Sequence, residues 1–556
     1  MLRLALALLP CLAFSTSLSA QSLLLTNAFV YTVDPQRSVA EALVIDPEGL
    51  IAGVGTHADM RKSFPNAIEV DLEGQMVLPG FHDVHLHAIE AGISSSYCDM
   101  PQFGTEDTYA EALEVCYEDW EGGEWIMGAG VNMTNLLGTV ADPLALIDDI
   151  IPNRPSIIID DIGHGAWANS LALESAGLDL LTEDPSGGML IRQADGRLSG
   201  VVLESLSQTL VDAARPARDE HFDFAYNSLL SALDELAANG ITSVSDAGGY
   251  WPRGHERVWT EAERSGDLSV RASNALYVYP DLPLEVQLAE LKRRFTNDPD
   301  ALVRFNQAKI YVDGILTQAT GALLAPYSGG LGLGPDENRG FEYFPRDILL
   351  RYANDLSAAG FQLHFHTTGD LGARLALDAI ELSDPTSGPH RITHLYMIDP
   401  ADIPRFQELD AVADFQMAPS SLEADYTSFL ESYIGDRAHD IQPIRDVLDT
   451  GALVVLSSDW DADDLSPLVK LEAVLTHPTQ AVPDIATAIE LLTINPARLL
   501  QHSDKVGSIE VGKFADLAVV DRNLLTLAPE RLSDAQVTAT LLQGEVTFDP
   551  AGLFRP

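Results

Sequence analysis

Apolar and polar positions alternate along both ends of the chain. Residues 22–77 contain short runs of Val, Ile and Leu that alternate with polar residues and are separated by Gly or Asp-Pro, and residues 507–521 and 537–548 repeat this pattern. Alternation with a period of two predicts half-buried β-strands joined by turns. We therefore predict that residues 21–78 and 505–556 form one small β-sandwich domain, with the rest of the chain inserted between them.

The middle of the chain alternates short apolar strands with helical stretches such as residues 224–240, where apolar positions recur at helical spacing before a terminal Gly. Strands are predicted at 76–87, 240–248, 270–278, 305–314, 361–370, 390–396, 411–419 and 452–460. Eight strand-helix units predict an α/β fold, a (β/α)₈ TIM-like barrel over residues 79–504. The stretch from about 90 to 220 is too long for one connection, so we predict an inserted subdomain after the first barrel strand.

The first twenty residues have the pattern of a secretory signal peptide. One early cation, Arg3, precedes an apolar run over residues 4–14, and small polar residues lead to Ala20. The run is too short to span a bilayer, so no membrane anchor is expected. We predict cleavage after Ala20 and a periplasmic or secreted location, with a buried N-terminal helix as the alternative.

Two cysteines, Cys98 and Cys116, remain after this segment is removed. An exported protein meets an oxidising compartment, where two thiols close together in sequence tend to pair. We therefore predict a disulfide that closes a short loop, with two unpaired buried thiols as the alternative.

The charge balance narrows the range of partners. The chain carries 33 Lys and Arg against 83 Asp and Glu, a formal net charge of −50. So acidic a surface repels nucleic acid and anionic membranes, which leaves a small-molecule substrate as the expected partner. We interpret the acidity as a source of solubility, with attraction of cationic substrates as the alternative. The sequence leaves the oligomeric state open, a homo-oligomer included.

The first candidate for chemistry is the pair His85 and His87, which follows a Pro-Gly turn. Positions i and i+2 of a strand point to the same face, so both imidazoles should project into the barrel at the carboxyl end of the strand, where barrel active sites lie. Two adjacent imidazoles suit a borderline metal ion such as Zn²⁺. A lone His-x-His pair is weak evidence by itself.

Later strand ends supply further candidates. Lys309 lies within the predicted strand 305–314, and His366 and His394 lie in the two strands that follow, 361–370 and 390–396. Asp459 lies at the end of the last predicted strand, 452–460. Each has an ordinary structural explanation alone, but their order along successive barrel strands favours one site. His364 shares a face with His366, and we prefer His366 because it lies nearer the strand end.

These segments resemble the amidohydrolase superfamily, and in particular the amidohydrolase-3 (YtcJ-like) group, over nearly the whole mature chain. The segments that carry the resemblance include VLPGFHDVHLH (77–87), GHGAWANSLALESAGL (163–178), AKIYVDG (308–314), HFHTTGDLGARLALDAI (364–380), HRITHLYMIDPADIPRF (390–406), SSDW (457–460) and VGSIEVGKFADLAVVD (506–521).

The resemblance implies two divalent metal ions, expected to be Zn²⁺ with Mn²⁺ or Fe²⁺ as alternatives. It implies that Lys309 is carbamylated and bridges both metals, and that Asp459 contacts the first metal and carries the proton between water and leaving group. The ligand set implied by the resemblance is His85, His87, Lys309, His366, His394 and Asp459.

Three residues are weaker candidates for substrate binding: His164, Asp313 and Trp125. Each has an ordinary structural alternative, as a hydrogen-bonding or packing residue. Two departures from the family pattern are expected near the substrate pocket. His82 stands where the family has an aliphatic residue, and residues 416–420 read Gln-Met-Ala-Pro-Ser where the family often has Gln-Pro-x-His.

The favoured function is metal-dependent hydrolysis of a C–N bond that is not a peptide bond, in an amide, N-acyl, N-formyl or cyclic amide group. An esterase or lactonase with the same site is one alternative, because attack on the carbonyl is the same chemistry. A non-catalytic, secreted regulatory relative is another.

Overall fold

Eight parallel strands form a closed barrel at the centre of the molecule. The computed structural model describes residues 21–120, 122–179, 183–329 and 338–554. Strand neighbours follow chain order, and a parallel bridge between Leu86 and Trp460 joins the last strand to the first. The predicted barrel is therefore confirmed. Its strands are Phe81–Leu86, Ile241–Asp246, Arg271–Tyr277, Val303–Tyr311, Gln362–Thr367, Arg391–His394, Val412–Gln416 and Val454–Ser457.

The first predicted strand, residues 76–87, is divided between two sheets. Met76–Pro79 pairs with strands from the chain ends, and Phe81–Leu86 begins the barrel. The division falls at Gly80, where an added Cβ would lie 2.1 Å from the Thr242 hydroxyl oxygen. Close approach of the backbone therefore requires glycine at this junction.

Helices connect the barrel strands and pack around them, and the predicted helix at 224–240 is found as Asp219–Ala238. The α-helices are His57–Ser63, Ala88–Ser94, Glu106–Asp119, Met133–Thr139, Pro143–Ile150, Ser170–Ser175, Ser205–Ala214, Asp219–Ala238, His255–Ser265, Leu284–Arg294, Arg346–Ser357, Asp370–Glu381, Ile403–Glu408, Ala424–Ile434, Ile444–Asp449, Pro467–Thr476, Ile485–Glu490 and Ile494–Leu499.

Both chain ends contribute to the sheets outside the barrel. A six-stranded sheet has the order Glu545–Phe548, Val537–Leu542, Leu517–Val520, Met76–Pro79, Phe29–Tyr31 and Val39–Ala40. A four-stranded sheet has the order Ile51–Gly55, Ala42–Ile45, Leu23–Thr26 and Ile68–Asp71. Side chains of the two sheets share one core, in which Leu25 and Val77 pack with Leu517 and Leu541.

A third sheet lies in the segment between the first two barrel strands. Its order is Gly188–Arg192, Leu198–Glu204, Gly165–Ala168, Ser156–Asp160, Ile126–Val131 and Cys98–Asp99. It has a core of its own that includes Leu113, Ile126 and Trp167. A disulfide between Cys98 and Cys116 joins the edge strand of this sheet to the helix Glu106–Asp119.

The predicted signal peptide, residues 1–20, lies outside the described residues. Within the described part of the chain, no helix has both the length and the apolar character that crossing a bilayer requires.

His82 lies near the start of its strand, at the opposite end of the barrel from His87. Its Nε2 lies 3.1 Å from Nε2 of His502, and its Nδ1 lies 3.2 Å from the Gly80 carbonyl oxygen. The expectation that His82 lies near the substrate pocket is therefore wrong. His82 is the second residue of the strand Phe81–Leu86 and therefore lies toward the amino-terminal end of the barrel. Barrel active sites lie at the opposite, carboxyl end of the strands.

We predict that His82 makes the fold sensitive to acid. Burial lowers the pKa of His82 to about 3, whereas an unfolded histidine titrates near about 6.5. Below pH 6.5 the unfolded chain therefore binds more protons, and the free energy of unfolding should fall by about 1.4 kcal/mol per pH unit more in the wild type than in His82→Leu. Urea unfolding of both proteins between pH 7.5 and 4.5 measures this difference. Equal pH slopes would contradict it.

Candidate metal centre

Three side chains converge where the barrel closes. His85 lies in the strand Phe81–Leu86, and His87 lies just beyond it, before the helix Ala88–Ser94. Their Nε2 atoms lie 3.3 and 3.4 Å from Oδ1 of Asp459. One nitrogen from each imidazole and one carboxylate oxygen all lie within 4.8 Å of one another. The pair therefore faces a common carboxylate, as the i, i+2 spacing predicts.

Asp459 reaches this position through an unusual backbone conformation. Its φ is 60°, and its N–H donates to the His85 carbonyl at 2.7 Å. His394 has a φ of 72°. Such conformations cost a non-glycine residue roughly 1–3 kcal/mol and are found at functional sites. Burial would raise the pKa of Asp459, but the neighbouring His394, His87 and Lys309 hold it below its usual range, so the side chain is a carboxylate.

Lys309 projects from the strand Val303–Tyr311 into the same group of side chains. It is fully buried, and its Nζ lies 2.8 Å from Nε2 of His85. Burial lowers the pKa of Lys309 to about 7. A large fraction of this amine is therefore uncharged near neutral pH.

His366 and His394 complete the group from the next two strands. Their ring centroids are 4.4 Å apart, and His394 Nδ1 lies 3.7 Å from Oδ2 of Asp459. Burial lowers the pKa of both imidazoles, that of His394 to about 3, so both are uncharged. Neither ring nitrogen of His366 has a hydrogen-bond partner in the described part of the chain. Orphaned buried nitrogens of this kind are what a metal ion would satisfy.

His364 has different surroundings. Its Nδ1 accepts from Nη2 of Arg391 at 2.7 Å, and its Nε2 lies 3.2 Å from Nδ1 of His85. His364 also forms a compact group with His85 and Asp414, but the Asp414 carboxylate already accepts from the Ser457 hydroxyl at 2.7 Å. Because both nitrogens of His364 have partners, His366 is the better candidate ligand.

Two residues that the sequence did not predict as part of the metal centre support the His85 ring. Thr393 Oγ1 lies 2.8 Å from Nδ1 of His85, and Gln416 Nε2 donates to the same hydroxyl at 2.9 Å. Gln416 also donates to the Ser457 hydroxyl at 2.6 Å. Successive residues of a strand point to opposite faces, so the sequence placed only His394, and not its neighbour Thr393, on the face of the metal centre. Gln416 opens the segment that departs from the family pattern.

His164 reaches the barrel from the inserted segment. Its Nδ1 lies 2.6 Å from Oε2 of Glu204, and its ring centroid lies 5.1 Å from that of His366. Burial disfavours the imidazolium, but the Glu204 carboxylate outweighs this effect and raises the pKa of His164.

Glu204 was not predicted from the sequence, although a lone Glu at the end of the apolar run Gly-Val-Val-Leu is a usable signal. It is fully buried with a φ of 60°, and it accepts from the hydroxyls of Tyr343 and Thr320. These bonds fix the carboxylate and hence the ring of His164.

Asp313 and Trp125, the other two candidates for substrate binding, do not line the cavity above the metal candidates. Asp313 accepts from the backbone N–H groups of Thr368, Gly369 and Ala322 at 2.8–3.0 Å, and burial raises its pKa to about 8. These hydrogen bonds hold the segment around Asp313 against the segments that contain Ala322 and Thr368. Trp125 lines a second cavity in the inserted segment.

The cavity above the candidate ligands has a volume of about 350 Å³. His87, His394, Asp459, His164 and Tyr311 form part of its wall. This volume lies at the lower end of the range found for small-molecule sites in proteins, roughly 300–1,000 Å³.

Comparisons with known proteins identify the family of the chain and proteins that it resembles. A family model described as "Amidohydrolase family" matches residues 69–548. An N-substituted formamide deformylase from Arthrobacter pascens is 26% identical, with 96% of this chain and 99% of that protein covered. The protein YtcJ of Bacillus subtilis is 23% identical, with 94% of this chain and 98% of that protein covered. The crystal structure of an uncharacterized metal-dependent hydrolase from Pyrococcus horikoshii has a TM-score of 0.71 at 23% identity, and covers 92% of this chain and 99% of its own.

We predict that Thr393→Val lowers the affinity for a divalent metal ion about 10- to 100-fold, because the His85 ring loses the hydroxyl that orients it. Competition between the protein and a chromophoric zinc chelator measures the affinity. Thr242→Val is the matched control, because Thr242 is a buried barrel threonine whose hydroxyl has no hydrogen-bond partner among the described residues. An equal loss of affinity in both variants, or none in either, would contradict the role of Thr393.

Proposed function

The chain belongs to the amidohydrolase family, and on that premise we propose that it is an exported metal-dependent hydrolase of a non-peptide C–N bond in an amide, N-acyl, N-formyl or cyclic amide group. One observation carries the proposal. Uncharged imidazoles, a buried amine and a carboxylate converge at one end of the barrel, and both nitrogens of His366 lack a hydrogen-bond partner among the described residues.

The donor set fits two divalent metal ions. His85, His87 and Asp459 would hold the first, His366 and His394 the second, and Lys309 would lie between them. Imidazole and carboxylate donors suit Zn²⁺, with Mn²⁺ or Fe²⁺ as alternatives. When bound, such ions lower the pKa of a water molecule and polarise a substrate carbonyl.

Lys309 is suited to carry a carbamate. Its uncharged amine would attack carbon dioxide, so that an N–C bond forms and a proton leaves to solvent. The product is an anion with two oxygens, which can serve two metal ions where an ammonium could serve none. The lowered pKa of Lys309 and its 2.8 Å contact with His85 support this assignment.

Asp459 is suited to move the proton. Its carboxylate faces His85 and His87 through one oxygen and His394 through the other. As the base, Asp459 would accept a proton from the attacking water and then deliver it to the leaving amine nitrogen. Asp459 lies on the cavity wall, where it would face both the water and the leaving nitrogen.

His164 is suited to orient the substrate. Its ring forms part of the cavity wall, and Glu204 fixes it by a 2.6 Å contact to Nδ1. The opposite nitrogen, Nε2, is then available to donate to the substrate carbonyl. Glu204 acts through His164 and is a positioning residue.

Two features support the proposal that the protein is exported. Residues 1–20 combine an early cation with a short apolar run and small polar residues. Cys98 and Cys116 are bonded to each other, which suits an oxidising compartment.

A substrate panel tests the proposed activity. N-substituted formamides, N-acyl amino acids, cyclic amides and lactones should be incubated with zinc-loaded and manganese-loaded enzyme. We expect release of amine or ring-opened product from an amide, and loss of activity when chelator removes the metal. Hydrolysis of lactones alone would contradict the C–N assignment, and activity that survives complete metal removal would contradict the metal centre.

In the same assay, Asp459→Asn should lower kcat by at least about 100-fold, because the amide cannot accept the proton. Asp464→Asn, an exposed position in the same loop, is the control and should keep wild-type turnover. Wild-type turnover in Asp459→Asn would remove the proton-transfer assignment.

A further inference from the structure

A second and larger cavity adjoins the one above the metal candidates. We call it the outer cavity; its volume is about 1710 Å³, and Val115, Trp120, Trp125 and Phe224 contribute to its wall. It lies between the helices Glu106–Asp119 and Asp219–Ala238, next to the Cys98–Cys116 disulfide. We call the cavity above the candidate ligands the inner cavity. Its volume is about 350 Å³, so the outer cavity supplies most of the combined volume of the two.

The two cavities share part of their walls. Tyr97, Asp99 and Arg215 line both of them. At this junction the Tyr97 hydroxyl and the Nε and Nη1 atoms of Arg215 are buried without a hydrogen-bond partner among the described residues. Nη2 of Arg215 donates to Glu90 at 2.8 Å, which holds the guanidinium in place. Unpaired buried donors are costly, so the junction is suited to a polar group that passes between the cavities.

Apolar side chains on the outer cavity are left open to water. Val115 is 60% exposed and Phe224 is 43% exposed, and each lies on a helix that borders the cavity. Trp120 and Trp125 add aromatic surface to the same wall. Removing the apolar surface of a concave wall from water favours the binding of an apolar ligand that covers it.

We propose that the outer cavity is a subsite for a long alkyl or aromatic substituent of the substrate, joined to a hydrolysed amide that enters the inner cavity. This inference rests on the proposed function. The polar atoms of Tyr97 and Arg215 would meet the substrate at the junction, and Val115, Phe224 and Trp125 would contact its remote apolar part. The preferred substrates are therefore amides with a bulky apolar group, rather than small amides.

A second copy of the chain is a poorer occupant. Each copy carries a formal net charge of −50, and Glu111, Asp119 and Glu124 lie on the wall of the outer cavity. Like charges of this size repel at close range. A small apolar molecule covers the same surface without that repulsion.

A chain-length series tests the subsite through activity. N-alkylformamides from N-methyl to N-octyl, or the same series built on whichever amide the enzyme accepts, are compared by kcat/KM. We expect kcat/KM to rise at least about tenfold from methyl to octyl, mainly through a lower KM, since each buried methylene favours binding. Val115→Glu should lower the octyl-to-methyl ratio about tenfold. Val286→Glu is the matched control, a helical valine that is 64% exposed elsewhere, and should keep the wild-type ratio.

A binding measurement separates the subsite from the activity. N-octylmethanesulfonamide, which has no carbonyl to attack, is titrated into the metal-loaded protein while tryptophan fluorescence is recorded. Two of the six tryptophans, Trp120 and Trp125, line the outer cavity and should report saturable binding. N-methylmethanesulfonamide should bind at least about tenfold more weakly, and Val115→Glu should weaken the octyl compound relative to Val286→Glu.

The outcomes distinguish this inference from the proposed function. Tight octyl binding that Val115→Glu weakens, with no amide hydrolysed, would support the subsite and overturn the activity. Hydrolysis without chain-length preference, together with equal binding of both sulfonamides, would overturn the subsite alone. A change of oligomeric state in Val115→Glu, measured by sedimentation velocity, would identify the cavity as an interface between copies and also overturn it.

Discussion

The barrel closes through backbone hydrogen bonds between its first and last strands, and the candidate centre depends on that closure. The N–H of Asp459 donates to the His85 carbonyl at 2.7 Å, and the N–H of His87 donates to the Trp460 carbonyl at 2.6 Å. These bonds bring the carboxylate of Asp459 against two imidazoles that are more than 370 positions away in sequence. The intervening strands then add Lys309, His366 and His394 around the same ring. A barrel that stayed open at this seam would separate the carboxylate from the histidines.

Burial determines the charge of the side chains that closure brings together. It keeps the imidazoles of His366 and His394 uncharged and lowers the pKa of Lys309 to about 7, while the neighbouring His394, His87 and Lys309 hold the pKa of Asp459 below its usual range. The site therefore combines unprotonated imidazoles with an ionised carboxylate, and these are the protonation states in which histidine and aspartate bind metal ions. The same burial makes the site unfavourable by itself, since the two nitrogens of His366 have no hydrogen-bond partner among the described residues. A bound ion would offset that cost.

The sequence predicted the main features of the fold and site because they follow from periodicity. Eight apolar strand segments and the His-x-His spacing are local patterns, and both appear in the structure. The family resemblance inferred from the motifs is confirmed by the match over residues 69–548. The division of residues 76–87 at Gly80 lies next to the predicted domain boundary between 78 and 79, but the requirement for glycine depends on the approach of Thr242 from another strand, which the sequence does not reveal. Thr393 was missed because its role comes from a contact with His85 that only the folded chain creates, whereas Glu204, which contacts His164, had an unused signal at the end of an apolar run.

We propose that this end of the barrel holds two metal ions around Lys309. X-ray diffraction from crystals of the zinc-loaded protein, recorded on both sides of the zinc absorption edge, tests it most directly. We expect two anomalous peaks, one within about 2.0–2.2 Å of His85, His87 and Asp459 and one equally close to His366 and His394, with density for a carbamate beyond Lys309 Nζ. A peak on His364 and Asp414 instead, or no peak near His85, would contradict it.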